Sequence, residues 1–353
     1  MHELYAAIIK KISAGEPLSL VTIVETKGSS PQVAGASALF TPKGLLFGTV
    51  GGGQLEASVQ AKSLECLQKK ESTLFEFLMY GEGETDEESI CGGEVLVLID
   101  GCPEKHKHTF DSLAESIQRR QPGVLVTLIR VIDQDSVSIS REWVERDKIL
   151  HPKAGAAQIP RRDEIKKSFR SEIPQLLKSE EGMLFLEPIF SRYQLLIAGA
   201  GHVGQAVAHL GNLLNFEVTV IDDREEYADK ERVPEADNII VSDISRAIRE
   251  FPTTDETFIV IVTRGHAHDA QALRECVRSE AAYIGMIGSD RKIKIMRKNF
   301  IDKGWASEDQ FDKVCAPIGI DIQSKTVQEI AVSIAAQLVR VRNRVRDRSG
   351  DSS

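Results

Sequence analysis

Residues 195–224, LLIAGAGHVGQAVAHLGNLLNFEVTVIDDR, constrain the fold more than any other stretch of the chain. An apolar strand runs into the turn Gly199-Ala200-Gly201-His202-Val203-Gly204. An amphipathic helix follows, and a second apolar strand closes on Asp222. Each part has a physical task in holding a dinucleotide. Gly199 makes the tight turn, Gly201 lets the backbone approach a pyrophosphate, Gly204 brings helix against strand, and the first helical N–H groups face the anion. Asp222, followed by Asp223 and Arg224, stands where a ribose hydroxyl is caught. A lone GxGxxG is weak evidence, but strand, turn, helix, strand and terminal acid in this order supply the context the motif requires. The expected fold is a Rossmann-like α/β domain with a doubly wound parallel sheet.

Alternation of strand and helix continues beyond the fingerprint. Strands are expected near 194–198, 216–221, 238–241, 257–262 and 282–285, with helical segments between them, which implies a parallel sheet covered on both faces. Ligands then gather at the carboxyl ends of the strands. VTRGHAHDAQAL lies at one such end. Its His-x-His-Asp suggests a metal on paper, but no second cluster with ligand spacing accompanies it. The preferred reading has no metal: Arg264 and His266 contact an anion or substrate, and Asp269 caps a helix. YIGMIGSDRKIKIM brings Ser289, Arg291 and Lys292 to a helix start, where they suit a phosphate or form an ordinary charged face. His202 would lie beside bound phosphates. TVQEIAVSIAAQLVRVR has helical spacing, with Ala and Ser on one side for close packing against the sheet or the first domain.

The first half follows another pattern. LSLVTIVE and SALF are strands flanking the loop TKGSSPQVAGA, and LLFGTV leads through Gly51-Gly52-Gly53 into a helix from about Gln54 to Lys70. STLFEFLM and EVLVLID are strands on either side of an acidic loop that ends Ile90-Cys91-Gly92-Gly93. The result is a β-rich α+β domain with three glycine-rich loops. Successive glycines before a helix can turn several N–H groups toward one point and form an anion nest, or can simply make a tight turn. Cys91 beside two unencumbered peptides could bind a soft metal or pass sulfur, or merely fill space. Residues 105–120 suggest a helix and 122–132 a strand, 136–170 show too little periodicity to assign, and 183–190 is a strand or connector.

Composition excludes several classes. A chain of 353 residues with 42% hydrophobic content is most simply two domains, 1–190 and 191–340, followed by a basic, frayed tail at 341–353. The net charge of -9 argues against nucleic-acid binding. Five scattered cysteines without CxxC spacing match a reducing cytoplasm. The start lacks the apolar core of a signal peptide, and no run reaches the roughly 18 apolar residues of a membrane span.

Seven motifs in order resemble the XdhC/CoxI family, the accessory factors of xanthine dehydrogenase and related molybdenum hydroxylases. They are GSSP with Gly35-Ala36, GTVGGGQLE (Gly48–Glu56), ICGGEV (Ile90–Val95), GAGHVG with the later DDR, TRGHAHD, YIGMIGS, and APIGIDI with EIAVSIAA. The resemblance implies a cytoplasmic homodimer that binds molybdenum cofactor, assists its sulfuration with a sulfur donor enzyme, and inserts it into a xanthine dehydrogenase-type hydroxylase. Cys91, Gly92, Gly93, Gly51, Gly52, Gly53, Gln54 and Glu56 are the expected cofactor contacts. Gly199, Gly201, His202, Val203, Gly204, Asp222, Asp223 and Arg224 are those for NAD or another adenine nucleotide. Two departures stand out: Gln32 and Val33 replace basic residues found in many relatives, and Gln54 replaces a Cys found in some.

A carrier fits the residues better than a catalyst does. Xanthine dehydrogenase chemistry needs iron–sulfur cysteines and a flavin domain that this chain cannot supply. The alternatives are an NAD(P)-dependent oxidoreductase using His202 or His266 as acid/base, and a nucleotide-sensing module without turnover. Two geometric expectations follow. Asp222 binds a free ribose 2′-hydroxyl, favouring NAD over NADP, and Cys91 shares a cleft with Gly51–Gly53 that faces the Rossmann domain.

Overall fold

The computed structural model describes residues 2–351 apart from 29, 31, 80–92, 134–135, 151–160 and 181. The chain divides into two compact units, Met1–Ser191 and Arg192–Ser353.

In the first unit α1 (His2–Ser13) precedes β1 (Ser19–Lys27), β2 (Ser37–Thr41), β3 (Gly44–Gly48), α2 (Gly53–Lys69), β4 (Ser72–Met79) and β5 (Gly93–Asp100). These five strands form one antiparallel sheet in the order β3-β2-β1-β5-β4. After α3 (Lys107–Gln118) come β6 (Gly123–Val131), β7 (Val137–Glu145), α4 (Arg146–Leu150), α5 (Arg162–Ser171), β8 (Gln175–Ser179) and β9 (Gly182–Ile189). Their four strands make a second antiparallel sheet, β7-β6-β9-β8. The near-continuous apolar run of β1 is explained by burial on both faces. Val21 and Ile23 pack with Leu55 and Val59 of α2, while Val24 packs with Ile129 and Phe185 of the second sheet. Ile165 and Phe169 of α5 cover the far side of that second sheet.

The segment left unassigned in the sequence contains β7. Its residues 137, 139, 141 and 143 alternate as strand residues should, but the third of them is Arg141, so the apolar pattern is interrupted by a buried cation.

The second unit runs β10 (Gln194–Ala198), α6 (His202–Leu213), β11 (Glu217–Asp222), β12 (Asn238–Val241), α7 (Ile244–Glu250), β13 (Thr257–Ile261), α8 (His266–Cys276), β14 (Tyr283–Met286), α9 (Asp290–Asp302), α10 (Glu308–Asp312) and α11 (Val327–Asp351). All five strands are parallel, in the order β12-β11-β10-β13-β14. Val207 of α6 and Ile334 and Leu338 of α11 cover one face. Residues of α7, α8, α9 and α10 cover the other. Residues 341–351, expected as a frayed tail, instead continue α11. Arg342 donates to the Leu214 carbonyl at 2.6 Å and lies 4.9 Å over the Phe216 ring, which holds this part of α11 against the second unit. Among the described residues no helix is long and apolar enough to cross a membrane.

Candidate functional site

The second unit reverses its winding at β10. The chain first builds outward through β11 and β12, then crosses to β13 and β14 on the other side, so the loops after β10 and β13 diverge to opposite faces and open a crevice between them. The three glycines of the fingerprint have separate reasons to be glycine. Gly199 has φ 115° and donates its N–H to Ile221 at 2.8 Å; a Cβ there would lie 2.5 Å from the Val262 carbonyl oxygen. A Cβ on Gly204 would run into the Gly199 carbonyl, so helix and turn are in direct contact. Gly201 is extended, and a Cβ on it would meet nothing within 4 Å. Packing thus demands the first and third glycines, whereas the second keeps open the space a phosphate approaches.

The N-termini of α6, α8 and α9 follow directly on β10, β13 and β14, capped by Gly201, Gly265 and Ser289 with no side-chain capping bond among the described residues. Helices elsewhere in the unit are capped: Asp243 accepts from Arg246 N at 2.8 Å, and Ser307 and Gln310 form a capping box. Helix-start N–H groups without side-chain caps, and the positive ends of the helix dipoles, therefore gather at the carboxyl end of the sheet, which suits an anion. Donor set and glycine cradle fit the phosphates of a nucleotide.

The acids at the end of β11 differ from each other. Asp222 is buried and accepts four hydrogen bonds: from Ala200 N at 2.8 Å, Arg224 N at 3.1 Å, Arg224 Nε at 2.9 Å and Arg224 Nη2 at 3.0 Å. Burial alone would raise its pKa, but the bonds from Arg224 and Ala200 outweigh that and hold it below the ordinary carboxylate value. Arg224 is itself stacked 3.8 Å over Tyr227. Asp223 is 35% exposed and pairs with Arg264 at 2.8 Å. In this arrangement Arg264 answers a carboxylate of the same crevice. Asp269, expected as a cap, lies inside the first turn of α8 and accepts from Thr263 N at 3.1 Å and Thr263 Oγ1 at 2.6 Å. It ties the strand end to the helix instead, and burial raises its pKa.

His202, His266, Ser289, Arg291 and Lys292 are all exposed around these helix starts. Among the described residues no three His, Cys, Asp or Glu side chains gather as a metal site.

In the first unit strand direction brings the ends of several strands together. The β1–β2 loop, the β3–α2 turn, the end of β4 and the start of β5 all lie at one end of the five-stranded sheet, because neighbouring strands are antiparallel. Gly51, Gly52 and Gly53 have φ of 119°, 74° and 58°, a run only glycine adopts readily. A Cβ on Gly52 or Gly53 would meet nothing within 4 Å. Glu56 accepts from Thr49 Oγ1 at 2.8 Å, and Thr49 Oγ1 in turn accepts from Gly51 N at 3.1 Å, so Glu56 braces the turn. Gln54 is exposed. Gly93 opens β5; Cys91 and Gly92 lie outside the described residues.

A polar cluster in the core of this unit escaped the sequence reading. Arg141 forms a buried ion pair with Asp100, and Tyr5 and Glu187 are buried beside it. Burial pushes Glu187 up to about 7, against the opposing effects of Arg141 and the Tyr5 hydroxyl. A cavity of about 10 Å³ lined by Thr22, Thr127, Arg141 and Glu187 lies between the two sheets. The available signal was Arg141 at an inward strand position.

Two family models match this chain: the XdhC Rossmann domain over residues 195–338, and the XdhC and CoxI family over residues 12–78. Together they take in more than half of its length.

The chain belongs to the XdhC and CoxI family.

Among proteins similar to this XdhC and CoxI family member is one from Bacillus subtilis, named as a probable component of xanthine dehydrogenase. It is 25% identical, covering 94% of each chain. An uncharacterized protein, YqeB of Escherichia coli, is 24% identical over 93% of this chain, which spans only 44% of that relative's length. PaoD of Escherichia coli, named a molybdenum cofactor insertion chaperone, is 22% identical over 95% of this chain and 86% of its own. A solved structure described as a xanthine dehydrogenase from Bacillus halodurans shares the fold, with TM-score 0.71, 22% identity and 96% of each chain covered.

Proposed function

We propose that this protein is an accessory factor of a xanthine dehydrogenase-type molybdenum hydroxylase. It carries molybdenum cofactor as cargo, assists its sulfuration with a sulfur donor enzyme, and inserts it into the apo-enzyme. It does so as a cytoplasmic homodimer and does not itself turn over the hydroxylase's substrate. The observation that supports the reading is that the β1–β2 loop, the Gly51–Gly53 turn, the end of β4 and the start of β5 share one end of the first unit's sheet. Gly51–Gly53 and Gly92–Gly93 offer peptide donors to a phosphorylated pterin, and Cys91 offers a thiolate to the metal or its sulfur. The name of the Bacillus subtilis relative supports association with a xanthine dehydrogenase, and that of PaoD supports cofactor insertion.

The second unit, in this reading, binds NAD or another adenine nucleotide through Gly199, Gly201 and Gly204, with the start of α6 on the phosphates. Purification of the chain from a molybdate-fed host should yield stoichiometric molybdenum and pterin, with no hypoxanthine turnover. A preparation free of both, or one that oxidises hypoxanthine without added enzyme, contradicts the carrier role.

A further inference from the structure

We propose that Asp223, and not Asp222, reads the ribose of the nucleotide held by the second unit, and that Arg264 exchanges Asp223 for a nucleotide phosphate as the ligand enters. This rests on the nucleotide reading of the glycine turn.

Two carboxylates end β11, and the sequence alone favours the first. A carboxylate has about four lone-pair sites. Asp222 uses four: one on Ala200 N and three on Arg224. Its side chain is also only 2% exposed. A ribose hydroxyl could reach it only by displacing the Ala200 N–H that fastens the glycine turn or one of the bonds from Arg224. Asp223 follows directly on the same strand end, is 35% exposed, and pairs with the exposed Arg264 at 2.8 Å, with Arg224 Nε at a longer 4.0 Å. It is the acid a ligand can reach.

The position of that contact gives Arg264 its part. Asp223 follows β11 and Arg264 follows β13, and these strands flank β10, so the pair reaches across the end of the central strand, about 10 Å from one side to the other. The glycine turn lies between them. A nucleotide whose phosphates rest on Gly201 lies where the two side chains meet, so the pair must part. Arg264 then faces a phosphate, which a guanidinium fork binds in preference to a singly charged carboxylate. Asp223, released, accepts the ribose hydroxyls. A 2′-phosphate at that place meets the freed carboxylate and is repelled.

Calorimetry on the full chain separates the parts. The unaltered protein should bind NAD about tenfold more tightly than NADP, and Asp223→Asn should bring the two within about twofold. Inorganic pyrophosphate, which has no ribose, should bind Asp223→Asn a few-fold more tightly than the unaltered protein, because Arg264 is no longer shared. It should bind Arg264→Ala more weakly than either. Thermal melts should show both variants folded, since the pair is half-exposed. An NAD preference that survives Asp223→Asn overturns the ribose assignment, and unchanged or weaker pyrophosphate binding by that variant overturns the exchange. If the unaltered protein binds none of the three ligands, the nucleotide reading itself fails.

Discussion

The carboxylate of Asp222 accepts the N–H of Ala200 at 2.8 Å, which fastens the end of β11 to the glycine turn after β10. The same carboxylate neutralises Arg224. Asp222→Ala therefore orphans a buried N–H and a partly buried guanidinium, and the second unit should lose about 2–4 kcal/mol in urea denaturation. The pH dependence has a definite sign. A carboxyl held below its unfolded value contributes stability that is present above about pH 3.9 and lost as pH falls through the folded pKa. Acid unfolding of the second unit should thus shift to higher pH than in an otherwise identical domain whose Asp222 is free, and Asp222→Asn should flatten that acid limb.

The fingerprint glycines should separate into two kinds when replaced. Gly204→Ala forces a methyl into the Gly199 carbonyl and should cost about 3 kcal/mol of stability. Gly201→Ala enters open space at an ordinary φ of -68° and should leave stability within about 1 kcal/mol. It should nonetheless weaken NAD binding about tenfold or more, because the methyl occupies the phosphate's approach. Melting curves paired with calorimetry check both halves.

Glu187 should make the first unit less stable as pH rises through neutrality. Its folded pKa of about 7 exceeds the unfolded carboxylate value, so between about pH 4.3 and 7 the folded state holds a proton the unfolded state has released. Stability should fall across that window by up to about 1.4 kcal/mol per pH unit and level off above it. Glu187→Gln should abolish the slope and raise the urea midpoint at pH 8 relative to the unaltered chain. An unaltered slope in that variant would assign it to another group.

Thiol labelling should single out Cys91. Burial pushes Cys66 up to about 11 and Cys276 up to about 12, and it raises Cys102 and Cys315, so little thiolate is present on any of them near neutrality. Alkylation at pH 7.5 with mass-spectrometric readout should therefore modify Cys91 first, and Cys91→Ser should remove the fast phase. The same variant should fold normally and lose activation of a xanthine dehydrogenase-type client by about tenfold or more, since it keeps size and removes only the soft nucleophile.

Much of this protein is written locally. The Gly199–Gly204 turn, the parallel strands after it and the glycine runs of the first unit were legible because backbone conformation depends on neighbours in sequence: glycine where φ is positive or contact is close, apolar residues at the period of each element. The same logic failed at β7, where Arg141 takes an inward place that the pattern reserves for an apolar residue, and at the end of α11, where a segment that reads as a tail continues the helix and its Arg342 meets Leu214 and Phe216.

The roles of the charged side chains were settled only by the fold. Arg141 finds Asp100 41 residues away, and Arg264 finds Asp223 at the same separation. Asp222 and Asp223 are adjacent and identical in type, yet one faces the turn beneath it and the other faces the crevice. A sequence names the donors and acceptors a chain possesses. Which pairs meet, and which carboxylate keeps a lone pair for a ligand, follows from strands that become neighbours only when the sheet closes.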